Sequence, residues 1–315
     1  MSYEVINVQT KTASKMKSHY ATYIKDKVPQ GALFAAKLPQ CSITAYKSGK
    51  ILFQGKGAST EAAKWEHTKP ASTSKKETKT SNSVDDHKYY PPQDIEEQII
   101  LGSDETGTGD YFGPMTVVCV HLTKEQMATI DSWGVRDSKT IKDDVIRKLA
   151  PRLVNECTYS LLVLKNEKYN AMQEKGMNQG QMKALLHHQA IMNVMQKCTE
   201  NNLDFQGTLI DQFVGPARYF EYLSSKGKSW KSDKPLYFAT KAEGIHPSVA
   251  AASILARYSF LQEMDRLEAN LGKPILKGAG PNVDRAAKDI LNSHGQETLY
   301  NIVKWHFSNT KRVMQ

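Results

Sequence analysis

Short apolar runs alternate with longer amphipathic stretches over most of the chain after residue 95. Strands are predicted for the apolar runs at about 98–103 and in "MTVVCVHL", "TYSLLVLK", "GTLIDQF" and "KPLYFATKAEG". Helices are predicted for "RDSKTIKDDVIRKLAPRL", "NQGQMKALLHHQAIMNVMQKC" and "HPSVAAASILARYSFLQEMDRLEAN", the last with Pro247 in its first turn. Strands that alternate with helices predict a layered α/β domain over residues 95–315.

The first 66 residues form a separate pattern. Residues 11–27 are lysine-rich with helical spacing, and residues 58–66 resume that spacing. Between them, "CSITAYKSGKILFQGKG" alternates around Ser48 and Gly49, which indicates a β-hairpin. We therefore predict a small α+β domain over residues 1–66.

Residues 67–94 read "HTKPASTSKKETKTSNSVDDHKYYPPQD" and contain almost no aliphatic side chains. A segment of this composition cannot bury a core, so we predict a flexible linker between the two domains.

The excess positive charge lies at the N-terminal end. The net charge is +9, and residues 1–90 hold 15 lysines, no arginine and seven acidic residues. A basic appendage beside a nearly neutral domain suggests an anionic partner such as nucleic acid. Improved solubility is an equally good explanation of the lysines when charge alone is considered.

The cysteines and the hydropathy argue against a disulfide-bonded, zinc-binding or membrane-spanning protein. Cys41, Cys119, Cys157 and Cys198 are widely separated, so we predict buried free thiols rather than disulfides or a zinc site. No apolar run approaches the length of a membrane span, and the N-terminus lacks the features of a signal peptide. We expect a cytoplasmic protein.

Acidic residues follow three of the predicted strands. Asp104 and Glu105 come after the first strand, Asp211 follows "GTLI", and Glu243 follows "LYFATKA". The carboxyl ends of strands in α/β sheets are where sites gather, and carboxylate oxygens suit Mg²⁺ or Mn²⁺. Any one of these acids alone is explained better by a helix cap or a solvated turn than by a metal. The four together favour a metal site in which two ions act on a phosphodiester.

The glycines beside these acids do not form a nucleotide-binding motif. Gly107 and Gly109 fit the start of a dinucleotide fingerprint, but Phe112 occupies the third glycine position, and no Gly-Lys-Ser or Gly-Lys-Thr is present. In "RDSKT", a phosphate contact or a helix cap is expected of Ser138 and Lys139.

Two groups on the predicted helices are assigned no chemistry. His187 and His188 lie within a long helical pattern, where packing or exposure is the default expectation. The small residues from Ala250 to Ser253 permit close packing of a helix against the sheet.

Five motifs in order, "DETGTGDYFGP", "DSK", "LIDQF", "TKAEGIHPSVAAASILAR" and "KWHFSNT", resemble the type 2 ribonuclease H family and, within it, the bacterial ribonuclease HIII branch. The resemblance covers about residues 95–310. The N-terminal unit is similar to the TATA-binding-protein-like domain of that branch. The implied fold is a ribonuclease H-like mixed sheet flanked by helices.

The resemblance implies hydrolysis of the RNA strand of RNA/DNA hybrids, with 5′-phosphate and 3′-hydroxyl products. Asp104, Glu105, Asp211 and Glu243 match the catalytic and metal-binding carboxylates, and the implied cofactors are two Mg²⁺ or Mn²⁺ ions. The implied protein is a monomer without a small-molecule cofactor that acts in R-loop and primer removal. Glutamate at position 243 is similar to the HIII pattern, because ribonuclease HII usually has aspartate there.

The same resemblance bears on substrate choice. Ribonuclease HII has Gly-Arg-Gly where this chain has Gly107, Thr108 and Gly109. Backbone amides in this loop would contact the ribose 2′-hydroxyl, and Ser138 and Lys139 would contact phosphate. Without the arginine, cleavage within RNA tracts is favoured over cleavage at a single embedded ribonucleotide.

Two other classes remain compatible with the residues. A nucleic-acid-binding protein with a vestigial acidic cluster would bind hybrids without metal-dependent turnover. A nuclease of related fold, such as a resolvase or transposase, would cut all-DNA duplexes.

Overall fold

A computed structural model of the chain describes residues 3–8, 10–25, 28–29, 31–46, 49–66, 85, 87–135 and 141–315. The chain divides into two units, Met1–Thr80 and Ser81–Gln315.

The first unit is a small α+β domain. Its elements are β1 (Tyr3–Asn7), α1 (Thr10–His19), β2 (Ala32–Lys37), β3 (Ser42–Tyr46), β4 (Lys50–Gln54) and α2 (Ala58–Glu66). The strands form an antiparallel sheet in the order β1-β4-β3-β2. The predicted hairpin is confirmed as β3 and β4, although Ser48 lies outside the described residues.

Two details of the first unit differ from the sequence prediction. The helix predicted for residues 11–27 ends at His19, and a short 3-10 turn follows at Ala21–Tyr23. Strands β1 and β2 have too few alternating positions to be recognised in isolation. They form because Phe34 and Ala36 pack with β3 and β4 residues such as Ile43 and Phe53 in one core.

The second unit contains the larger sheet and most of the helices. Its elements are β5 (Ile100–Thr106), β6 (Met115–His121), α3 (Lys124–Asp131), α4 (Asp143–Glu156), β7 (Thr158–Leu164), α5 (Asn166–Glu174), α6 (Gln179–Glu200), β8 (Gly207–Asp211), α7 (Pro216–Ser224), β9 (Leu236–Ala239), α8 (Pro247–Leu271), α9 (Pro281–Ile302) and α10 (Ser308–Val313).

Helices cover both faces of this sheet. The described strands are ordered β7-β6-β5-β8-β9, with β5, β6 and β7 antiparallel and β5, β8 and β9 parallel. One apolar cluster joins β6 to α3, α4 and α8, and another joins β5, β6 and β8 to α6 and α7. The predicted fold class, a mixed sheet flanked by helices, is confirmed.

The predicted linker is too long at its C-terminal end. Residues 87–94 lie in the second unit, where the amide of Phe238 donates to the carbonyl of Tyr89 at 2.9 Å. The amide of Thr240 donates to Asp85 Oδ1, also at 2.9 Å. Composition does not indicate these contacts, because they are made by backbone groups and by a polar side chain rather than by aliphatic side chains. Residues 67–84 lie outside the described residues.

Two further expectations can be compared with the structure. All four cysteines, which are among the described residues, are free thiols, and Cys157 is only partly buried. In the described part of the chain, the helices are too short or too polar to cross a membrane.

Sheet and helix approach each other closely at Gly102. A Cβ built there would lie 2.3 Å from backbone atoms of Ser248 and Val249, in the first turn of α8. Ala250, Ala251 and Ala252 continue the buried face of that helix. Small side chains on both partners therefore let α8 lie against β5, as the sequence predicted for the alanine run.

We expect Gly102→Ala to destabilise the protein by at least about 2 kcal/mol, because the added methyl group must displace helix backbone. Thermal or urea unfolding would measure the loss. Gly109→Ala is the control for stability, since a Cβ at Gly109 meets no described heavy atom within 4 Å and the residue has no positive φ. Equal stability of the two variants would contradict the proposed close contact.

Candidate active site

Asp104 and Glu105 lie within strand β5, whereas the sequence prediction placed them after it. The strand runs to Thr106. Because successive side chains of a strand face opposite sides of the sheet, the two carboxylates point to different layers. Asp104 faces α8, like Gly102, and Glu105 faces α6.

The Asp104 carboxylate is buried among other acids. Its residue is 6% exposed, and its Oδ1 accepts the amide of Glu105 at 2.6 Å. Burial, followed by the negative charges of Asp211 and Glu105, raises the pKa of Asp104 well above its usual range. A hydrogen bond from Ser253 on α8 only partly offsets this effect. The charged form of Asp104 would therefore be stabilised by a cation.

Glu105 has two basic partners on α6. Lys183 Nζ lies 2.7 Å from its Oε1, and His187 Nε2 lies 2.8 Å from its Oε2. Burial alone would raise the pKa of Glu105, but the hydrogen bond and charge of His187, together with those of Lys183, lower it. Glu105 is therefore held in its anionic form.

His187 is fixed by a chain of hydrogen bonds. The hydroxyl of Ser103 donates to the carbonyl of Val118 at 2.9 Å, and Ser103 Oγ lies 2.7 Å from His187 Nδ1. Because Glu105 is anionic and can only accept, Nε2 is the ring nitrogen that donates to Glu105. The sequence prediction gave His187 only a packing or surface role. In the structure this histidine also orients the carboxylate of Glu105.

Phe213 covers both basic partners of Glu105. Its ring stacks on His187 with centroids 5.1 Å apart, and Lys183 Nζ lies 4.3 Å from its centroid. Stacking and cation–π contacts of this kind favour positive charge beside the ring. Sequence reasoning missed Lys183 and Phe213. The spacing of residues 179, 183 and 187 on one face of α6 was the available signal.

Asp211 lies near Asp104 on the neighbouring strand, and Glu243 follows the next strand of the sheet. Asp211 ends β8, which is parallel to β5, and its Oδ1 accepts the amide of Ala242 at 2.9 Å. Glu243 is 4% exposed and lies in the 3-10 turn Ala242–Gly244. The predicted last strand ends at Ala239, so a tight turn rather than the strand end positions Glu243.

The carboxylates are not arranged as a finished metal cage. Among the residues that the structure describes, no three His, Cys, Asp or Glu side chains are placed so that they could hold a metal ion. Both oxygens of Glu105 are directed at α6, and one oxygen of Asp211 accepts a backbone amide. The donor set still fits a hard divalent ion, because it consists of oxygens, and burial with the nearby negative charges of Asp211 and Glu105 disfavours the charged form of Asp104 unless a cation is present. Membership of the four acids in one metal site stays a prediction.

The two loop glycines differ in what they contact. Gly107 has φ +92°, and a Cβ there would lie 2.2 Å from the carbonyl oxygen of Pro114. Gly109 is exposed, and a Cβ there would meet no described heavy atom within 4 Å. Between them, the carbonyl of Thr108 accepts Gln179 Nε2 at 3.0 Å. Only Gly109 of this pair is therefore left open to a ligand.

Ser138 and Lys139, the other predicted substrate contacts, lie outside the described residues.

A buried lysine holds the chain that follows this loop. Lys304 is 0% exposed, and its Nζ donates to the carbonyls of Asp110 at 2.9 Å and Gly113 at 2.6 Å. Burial lowers the pKa of Lys304 to about 7. Its own amide donates to the carbonyl of Tyr111 at 2.8 Å. Residues near the C-terminal end thus position the loop beside the acids.

A cavity of about 340 Å³ opens beside the loop. Its far wall carries Arg257, whose Nε donates to Asp143 Oδ1 at 2.9 Å, and Lys277 also bonds to Asp143. Burial opposes ionisation of Asp143, but these cations outweigh it and lower its pKa to about 2. The cavity is lined by residues 105–110, Ile141, Asp143, Ile146, Ser253, Ile254 and Arg257. Acidic residues and an arginine thus line the same cavity.

Comparisons with known proteins indicate the family of the chain. The family model described as ribonuclease HII matches residues 101–310, and a domain family of unknown function matches residues 3–78. The ribonuclease HIII of Bacillus subtilis (strain 168) is 49% identical over 315 residues, which is 100% of this chain and 98% of the relative. The ribonuclease HIII of Bacillus velezensis is 50% identical, with 99% of this chain and 97% of the relative covered.

A solved structure of a ribonuclease HIII also matches this chain. The crystal structure of Bst-RNase HIII in complex with Mn²⁺ matches with a TM-score of 0.66 and 39% identity over 99% of this chain and 98% of that one. Aquifex aeolicus RNase H3 shares the fold, with a TM-score of 0.54 and 23% identity over 97% of this chain and 100% of that one. The chain therefore belongs to the ribonuclease HIII family of enzymes.

Proposed function

We propose that the protein is an endonuclease that hydrolyses the RNA strand of RNA/DNA hybrids and leaves 5′-phosphate and 3′-hydroxyl ends. The observation that carries the proposal is the burial of Asp104 between two further carboxylates at the ends of β5 and β8. Such repulsion does not stabilise the fold, because a buried carboxylate costs free energy unless it is paired. The cost is explained by a site that binds divalent cations.

Asp104, Glu105, Asp211 and Glu243 would hold two divalent ions, and a related protein, Bst-RNase HIII, has been crystallised with Mn²⁺. When bound, such ions activate a water molecule and stabilise the leaving oxygen of a phosphodiester. Mg²⁺ would serve equally, because both ions prefer oxygen ligands.

The protein supplies the orientation of these carboxylates. The amide of Ala242 donates to Asp211 and fixes the orientation of its carboxylate. The side chain of Ser253 donates a hydrogen bond to Asp104. His187 fixes the direction of Glu105. These three acids are therefore held by donors on three different elements, and the arrangement depends on the packing of those elements on the sheet.

Substrate choice is assigned to the loop at residues 107–109. The exposed backbone of Gly109 allows close approach of a ribose, whose 2′-hydroxyl distinguishes RNA from DNA. Thr108 lacks the charge and length with which an arginine would reach a phosphate. Cleavage within RNA tracts is proposed over cleavage at single embedded ribonucleotides, which suits R-loop and primer removal by a monomeric enzyme.

End-labelled duplexes test the proposal directly. With Mg²⁺ or Mn²⁺, we expect cleavage of an RNA/DNA hybrid, little cleavage of a DNA duplex with one embedded ribonucleotide, and none of all-DNA or all-RNA duplexes. A chelator should abolish cleavage, because the acids alone cannot activate water at the required rate. Uncut hybrid with either metal, or cutting that survives chelation, would refute the activity.

Asp104→Asn and Glu243→Gln are the site variants in that assay. Each keeps the size of its side chain and removes one ligand charge, so we expect a loss of rate of at least about 100-fold. Glu221→Gln is the matched surface control, since Glu221 is exposed and pairs with Arg218 of the same helix. Full activity of the Asp104→Asn variant would show that Asp104 is not part of the catalytic site.

A pair of glycine substitutions separates folding from recognition. Gly109→Ala should leave the melting temperature within a few degrees but raise KM for hybrid, because its Cβ enters the space proposed for the ribose. Gly107→Ala should lower stability by about 1–3 kcal/mol, because the residue has a positive φ and contacts the Pro114 carbonyl. Circular dichroism melts and steady-state kinetics would measure the two effects. An unchanged KM for Gly109→Ala would contradict the assigned contact.

The basic N-terminal unit is proposed to add affinity that does not depend on sequence. Removal of residues 1–80 should weaken hybrid binding and flatten its salt dependence, by about 0.7–0.9 in the log–log slope for each phosphate that the shortened chain no longer neutralises. Fluorescence anisotropy at several salt concentrations would measure this. Asp85 and residues 87–94 must be kept, because they contact β9 and its following residue. Identical binding at all salt concentrations would contradict the role, provided that the shortened chain melts cooperatively.

A further inference from the structure

Glu105 has both of its oxygens engaged by α6. Lys183 bonds to one oxygen and His187 to the other, at 2.7 and 2.8 Å. The Lys183 ammonium group is therefore a cation that already contacts one oxygen of Glu105. A divalent ion that binds Glu105 must therefore share it with Lys183 or displace Lys183.

The two partners differ in how firmly they are held. The His187 side chain is 0% exposed, is bonded to Ser103 through its other nitrogen, and is stacked on Phe213. Lys183 is 12% exposed at its side chain, and its ammonium group contacts the Glu105 carboxylate and the face of Phe213. Lysine carries its charge on a flexible four-carbon stem. Lys183 can therefore move away while His187 keeps Glu105 oriented.

Electrostatics make sharing unfavourable. An ammonium group and a divalent ion on one carboxylate repel each other strongly where water is largely excluded. The Lys183 side chain is 12% exposed, so its ammonium group can reach solvent when it leaves Glu105. Displacement of Lys183 is therefore the expected response to a metal ion.

We propose that Lys183 competes with the divalent ion for Glu105 and thereby sets the metal affinity of the site. Lys183 is thus a positioning residue that acts through Glu105, and the inference rests on the proposed function. Its consequence is a site that keeps Glu105 charged and ordered at low metal concentration but binds metal less tightly than its acidic residues would allow.

Binding of Mn²⁺ to the full chain, measured by the loss of the free-ion electron paramagnetic resonance signal without nucleic acid, tests this proposal. Lys183→Met keeps an unbranched side chain of similar length beside Phe213 and removes the charge. We expect it to bind Mn²⁺ about 3- to 10-fold more tightly, which is the effect of losing one partly buried ion pair as a competitor. A structural defect would weaken binding rather than strengthen it.

Lys197→Met is the matched control. Lys197 lies on the same helix, and its Nζ is 5.8 Å from the ring of Tyr159 and bonds to the Tyr159 carbonyl. Its ammonium group is thus held by a backbone carbonyl rather than by one of the four acids. We expect the Mn²⁺ affinity of this variant to equal that of the unaltered chain. Equal affinities of the Lys183 and Lys197 variants would overturn the proposal.

A double substitution separates competition at Glu105 from a general effect of charge. In a Glu105→Gln background the shared carboxylate is gone, so Lys183→Met should change Mn²⁺ affinity by less than about 2-fold. The same tightening in both backgrounds would overturn the proposal, because a through-space effect does not need Glu105.

Asp104→Asn distinguishes failure of this inference from failure of the proposed function. If Asp104→Asn loses Mn²⁺ binding while Lys183→Met binds like the unaltered chain, only the competition is wrong. If Asp104→Asn binds Mn²⁺ as well as the unaltered chain does, the acidic site itself is wrong, and the competition is overturned with it.

Discussion

The alternation of side chains along β5 is the constraint on which the site depends. Two consecutive acids in a strand cannot face the same layer, so Asp104 is directed to α8 and Glu105 to α6. Each carboxylate is then supplied with partners by a different helix. The sheet thereby separates two like charges that are adjacent in the chain, and the glycine two residues before Asp104 allows α8 to come close enough to take part.

This separation gives the two acids opposite electrostatic environments. Burial and neighbouring acids raise the pKa of Asp104, whereas basic groups outweigh burial and lower that of Glu105. The charges that act on Asp104 are therefore negative, whereas Glu105 already has two basic partners. In the proposed metal site, a cation would gain most from Asp104 and Asp211 and would have to compete with Lys183 at Glu105. The two faces of one strand would thus favour an order in which the carboxylates bind the ion.

Much of the framework could be predicted from the sequence because its signals are local. The apolar runs of β6 and β7 and the helical spacing of α6 and α8 depend on residues close together in the chain. The contacts that complete the site are not local, since Lys183 and His187 reach Glu105 across 78 and 82 positions.

Two further features needed the three-dimensional structure. Gly107 and Gly109 look alike in the sequence, and only the Pro114 carbonyl and the Phe260 ring reveal that the first is needed for packing. The tight turn that places Glu243 resembles the end of a strand in the sequence, because apolar residues precede it. In both cases the deciding contact comes from a part of the chain that local spacing does not describe.

The hold that Lys304 exerts on the loop after Gly109 has a consequence for how the enzyme matures during synthesis. The strand that carries Asp104 and Glu105 leaves the ribosome early, but the carbonyls of Asp110 and Gly113 receive their donor only after almost 200 further residues have been made. Contacts of such long sequence separation form late and slowly. A nascent chain can therefore complete its sheet before Lys304 fixes the loop beside the acids, so this part of the proposed site is the last to be ordered.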